Sequence, residues 1–104
     1  MKKIINGLRY DTEKAIEVGS YSSGHTASDF QGWIATLYKT PRSGRFFLHG
    51  HGGPMTRFAE HHGDSITNGE RIVLMSKGEA LEWAEQYLNA DIIEKHFSDS
   101  IEEA

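Results

Sequence analysis

The sequence predicts one α+β domain over residues 1–104, a two-layer arrangement in which about three antiparallel strands pack against a carboxy-terminal helix and a short amino-terminal helix. Three observations predict it. Apolar residues alternate with period two through residues 33–48, which is the spacing of strands. Pro41-Arg42-Ser43-Gly44 splits that stretch into two strands joined by a tight turn, and these must run antiparallel. Ser76-Lys77-Gly78-Glu79 is a capping box placed directly before helical spacing. A chain of 104 residues with 38% apolar content has room for a single core, and so thin a core leaves a second copy of the chain as a candidate partner.

In chain order, Lys2 to Asp11 holds two short apolar pieces around Asn6-Gly7, the signal of a hairpin or a bent edge strand. Thr12 to Gly19 reads as a helix of about two turns, with Thr12 as cap and Gly19 as stop. Ser20 to Asp29 is rich in Ser, Thr and Gly and reads as a loop. Phe30 to Thr40 is the first long strand, with Trp33, Ala35 and Leu37 on one face and Ile34, Thr36 and Tyr38 on the other. Arg45 to His51 returns beside it, with Phe46 and Leu48 opposed to Phe47, His49 and His51. Aromatic groups therefore stand on both faces, so the second face is either covered or a contact surface. Gly50 to Pro54 should break the strand, and Pro54 should open one helical turn over Met55 to Ala59. His61 to Gly69 reads as a polar loop and Glu70 to Ser76 as the third strand. Ala80, Leu81, Ala84, Tyr87 and Leu88 mark the helix after the capping box; Ile92, Ile93, His96 and Phe97 mark a second short one. Residues 98–104 form an acidic tail expected to fray.

Composition narrows the function classes. No apolar run approaches the roughly 20 residues of a membrane span, and Met1 to Gly7 carries no secretory apolar segment, so a cytoplasmic protein without membrane contact is expected. The absence of cysteine excludes disulfides, thiolate metal sites and cysteine nucleophiles. No cofactor is expected, since neither phosphate-binding glycine fingerprint is present, and no G-x-S-x-G elbow supports a serine nucleophile. Residues 1–60 carry eight Lys and Arg against five Asp and Glu, a local charge of +3, whereas residues 61–104 carry three against ten, a local charge of −7. Such polarity bears on partners more than on fold.

Candidate site residues fall into three groups. Lys39, Arg42 and Arg45 at the hairpin tip, with Trp33, Tyr38 and Phe47 nearby, resemble a basic aromatic ribbon; Arg57 follows a glycine-rich bend able to present N–H groups to an anion. So few cations in an acidic chain weigh against direct nucleic-acid binding and leave a small nucleic-acid-binding module as the alternative reading. Glu79, Glu82 and Glu85 on the helix form an acidic face, the ordinary form of a solvated helix and also a surface that could imitate phosphates to a basic partner. His49 and His51 project to one side of a strand, and with His61 or His62 they are weak candidates for a metal triad serving a hydrolase; each is equally a packing or surface residue.

Beyond these patterns, the phrasing of the chain resembles a known family. It is carried by I-I-N-G-x-R-Y-D-T near the start, by L-Y-K-T-P followed by G-x-F-F-L across Leu37 to Leu48, and by G-G-P-M-T-R-F over Gly52 to Phe58. The ending, A-L-E-W-A-E-Q-Y-L with a terminal I-E-E-A, belongs to the same set. The family is one of small proteins of prophages and integrative elements of bacteria, whose short acidic accessory proteins include anti-CRISPR inhibitors. The resemblance implies a non-enzymatic protein that binds a host CRISPR-Cas effector, protein or ribonucleoprotein, in the bacterial cytoplasm. Members often lack histidine at the positions of His49 and His51, which weighs against a metal role.

Overall fold

The computed structural model describes residues 1–23 and 32–104. Eight strands come first among these: β1 Lys2–Ile5, β2 Leu8–Asp11, β3 Ile16–Ser22, β4 Trp33–Lys39, β5 Phe46–Gly52, β6 Glu60–His62, β7 Ser65–Thr67 and β8 Gly69–Met75. Two helices follow, α1 Lys77–Tyr87 and α2 Ala90–Phe97, and a 3-10 turn at Ser98–Ser100 ends the ordered elements. The fold is α+β. Its centre is a four-stranded antiparallel sheet in the order β3-β4-β5-β8, flanked by the two-stranded ribbons β1-β2 and β6-β7.

One face of the sheet is covered by the helices. Val18, Ala35, Leu37, Phe46 and Leu48 pack there against Ala80, Trp83, Ala84 and Phe97, with Phe58 closing one end. The opposite face is partly covered by the amino-terminal hairpin. Tyr10 descends onto Phe47 edge-on at 5.5 Å, and Ile72, Tyr38, Ile5 and Ala15 surround that contact. The hairpin exists because Asn6 and Gly7 both take positive φ, 52° and 78°, as a two-residue turn requires. Phe47 is thus a fully buried second-core residue, which removes it from any contact surface.

Several expectations are corrected. The short amino-terminal helix is absent. Thr12 to Ala15 form a turn closed by Ala15 N–H donating to Asp11 O at 3.0 Å, and Ile16–Ser22 run as edge strand β3. A two-turn helix has almost no stability of its own, whereas extended residues 16–22 gain a ladder with β4 and bury the β-branched Val18. A register shift between Glu17 and Gly19 marks a bulge there. The sheet accordingly has four strands in place of about three. Ser20, Tyr21 and Ser22 belong to β3, while the expected loop at 24–29 and the strand start at 30 lie outside the described residues.

The remaining three corrections concern glycine-containing segments. β5 does not break at Gly50 but continues through Gly52, paired on both sides with Ala35 and Arg71 at Gly50. Glycine is required because Phe58 lies over that backbone: a Cβ on Gly50 would sit 2.5 Å from Phe58 Cζ. Residues 53–59 then form successive turns, Thr56 N–H to Gly53 O at 3.1 Å and Ala59 N–H to Thr56 O at 3.2 Å, in place of a helical turn. The polar stretch from His61 is the ribbon β6-β7, turned at Gly63 with φ 62°.

The capping box is present as expected. Ser76 Oγ accepts from Glu79 N–H at 3.1 Å, and Glu79 Oε1 accepts from Ser76 N–H at 2.8 Å. Asn89 caps α2 by accepting from Ile92 N–H at 3.0 Å. None of the described helices is long and apolar enough to cross a membrane.

Candidate functional site

Two concave surfaces carry the chemically distinctive side chains, one on each side of the sheet. The first is a cleft of about 540 Å³ between the β1-β2 hairpin, the turn at residues 12–15 and the β4-β5 turn. Its floor is apolar, from Leu8, Tyr10, Ala15 and Pro41, and its charged rim is Arg9, Lys14, Arg42 and Arg45 with one carboxylate, Asp11. The hairpin tip was legible in sequence. Arg9 and Lys14 were not, because only the docking of Tyr10 onto Phe47 brings them to it.

Hydrogen bonds fix the cleft walls. Thr40 N–H donates to Arg45 O at 2.8 Å, Arg45 N–H donates to Thr40 Oγ1 at 2.9 Å, and the Thr40 and Ser43 hydroxyls pair at 2.9 Å. Asp11 Oδ1 accepts from Glu13 N–H at 3.0 Å, which sets the turn bearing Lys14. Among the described residues none of the four cations forms an ion pair. Lys39, expected with them, lies on the helix side and holds its ammonium 5.7 Å from the Phe46 ring centre. Tyr38 stacks on Phe47 with centroids 5.3 Å apart, and burial foremost, then Glu17, pushes its phenol pKa up.

The second surface is an aromatic groove of about 430 Å³ on the helix side, lined by Trp33, Met55, Arg57, Phe58, Trp83 and Tyr87 among others. Its rings brace one another. Trp33 meets Tyr87 edge-on at 5.2 Å and Phe58 at 6.3 Å, while Tyr21 lies 4.7 Å from Tyr87. Arg57 places its guanidinium 6.0 Å from the Phe58 ring centre, and Met55 stands 67% exposed at the mouth. Trp33 and Tyr38, grouped by the sequence pattern, therefore serve opposite faces. Tyr87, Met55 and Tyr21 were missed as surface residues and the buried Trp83 as the ring beneath them, although the helical spacing of Trp83 and Tyr87 offered a signal.

The acidic face and the histidines do not build a third site. Glu79, Glu82 and Glu85 are exposed along α1. Glu79 is engaged in the cap, and the hydrogen bonds from Ser76 hold its carboxyl below the ordinary 4.5, with a smaller pull from Arg57. His49 Nε2 lies 2.8 Å from Glu70 Oε1, a bond that lowers the Glu70 pKa. His62 Nε2 lies 3.3 Å from Glu60 Oε2. His61 is exposed in the ribbon, and His51 pairs by register with Glu70. Among the described residues no three of His, Asp and Glu converge as a metal site would require.

Set against protein-family models, curated proteins and solved structures, the chain matches none of them.

Proposed function

We propose that this chain is a binding protein with no reaction of its own, one that docks onto a host CRISPR-Cas effector and blocks it. The observation that carries the docking surface is the aromatic groove. Tyrosine, tryptophan, arginine and methionine are the residues enriched where proteins bind one another, and here they share one concavity. Ring-on-ring packing holds its tyrosine and tryptophan rings before any partner arrives, so little ordering of those side chains remains to oppose association. Met55 at 67% exposure is the apolar group most ready to be covered. The identity of the partner rests on the family resemblance alone.

The test is co-purification of the tagged chain from cells carrying a CRISPR-Cas complex, together with an interference assay in those cells. The expected result is a retained effector and impaired interference, with Met55→Asp and Arg57→Glu lowering retention about tenfold or more, as loss of one hot-spot contact does. No retained effector together with full interference overturns the proposal.

A further inference from the structure

The cation-rimmed cleft lies across the sheet from the aromatic groove and is independent of the reading above. We infer that it is a binding site for a nucleoside phosphate, free or at the end of a single strand. Four cations against one carboxylate line a cleft of a chain whose net charge is −4. Positive charge is concentrated where the molecule as a whole is acidic, and none of it is neutralised by an ion pair among the described residues. Such a rim suits phosphate oxygens, which guanidinium groups bind in charge-assisted, two-pronged fashion.

The apolar floor distinguishes this site from a bare phosphate trap. Leu8 and Pro41, both exposed over the buried Tyr10, offer an apolar surface on which a planar base can lie, and the exposed guanidinium planes of Arg9 and Arg45 can stack on it. Asp11 supplies an acceptor. One of its oxygens holds the Glu13 N–H at 3.0 Å, and the other has no partner among the described residues, as suits a sugar hydroxyl or an exocyclic amine. A volume of about 540 Å³ falls within the roughly 300–1,000 Å³ range of small-molecule sites. The walls are closed turns on a rigid sheet, so the charges are already gathered before a ligand binds.

The experiment is an amide-resolved NMR titration of the full chain with three probes: ATP, inorganic pyrophosphate and a 5′-phosphorylated single-stranded dodecanucleotide. ATP is expected to shift amides of residues 8–15 and 40–45, and pyrophosphate to bind at least about tenfold more weakly for lack of a base. A dodecanucleotide that binds more tightly than ATP, with an affinity that falls as salt rises, assigns the site to a strand end; equal affinity assigns it to the free nucleotide. Arg9→Gln and Arg45→Gln, exposed positions where the fold should persist, are each expected to weaken ATP binding about tenfold. Arg57→Gln, in the aromatic groove, should change it less than about twofold. Absence of shifts in both segments with ATP and with the dodecanucleotide, pyrophosphate binding as tightly as ATP, or an equal loss in Arg57→Gln overturns the assignment.

Discussion

Gly50 shows how one missing side chain fixes a tertiary contact. Phe58 is 1% exposed, and its ring rests on the Gly50 backbone in the middle of the sheet. A methyl group added there would meet Phe58 Cζ at 2.5 Å and Cε1 at 2.6 Å, so the ring must be displaced from a filled core. Gly50→Ala is expected to cost about 1–3 kcal/mol in urea unfolding, the usual cost of overpacking. Replacing Phe58 by Leu in the same chain should recover part of that loss, because neighbouring changes couple. A change below about 0.5 kcal/mol in the single variant, which is ordinary for a free surface, would contradict the contact.

At the scale of elements, α1 and β3 respond to different forces. α1 is specified locally: Ser76 and Glu79 exchange two hydrogen bonds at its start, and Ala80, Trp83 and Ala84 bury one stripe. Ser76→Ala should therefore destabilise the chain by about 1 kcal/mol, read as a lower urea midpoint with an unchanged slope. A midpoint equal to that of the parent would show that the cap is redundant with packing. β3 is specified by its neighbour. Thr12 and Gly19 offered helix punctuation, yet pairing with β4 and burial of Val18 outweigh two turns of isolated helix. Local signals are decisive only where tertiary contacts agree with them.

For the whole molecule, the titrating groups give stability a direction with pH. His96 is half-buried, and burial foremost, with Lys95 and Lys39 adding, holds it below 6.5. Glu70 is held below 4.5 by the His49 hydrogen bond, Glu79 below 4.5 by Ser76, and Asp99 below 3.8 by Lys77. In all four the unfolded chain binds the proton more tightly, so their stabilising contribution is present above the unfolded value and is lost as pH falls through the folded one. The first loss begins below 6.5 from His96 and the next below 4.5 from the carboxylates. Tyr38 has the opposite sign, since its raised phenol contributes below 10.0 and loses that contribution as pH rises through the folded value. Urea midpoints should thus fall in two stages on acidification, and His96→Gln should remove the first stage alone. Identical midpoints for the parent between about pH 7 and about pH 5 would contradict the burial of His96.

The sequence by itself determined the α+β class, the turn signal at Asn6-Gly7, the β4-β5 pair and the capped α1, because each rests on turn chemistry or periodicity within a few residues. It also marked Arg42 and Arg45 as an exposed basic tip. Tertiary structure alone decided that residues 16–22 extend β3, that Phe47 is core, that His49 bonds Glu70, and that Arg9 and Lys14 join the tip. The physical reason is common to these four. Each follows from contacts between segments far apart in the chain, above all Tyr10 on Phe47, and the residues' own neighbours in sequence carry no trace of them.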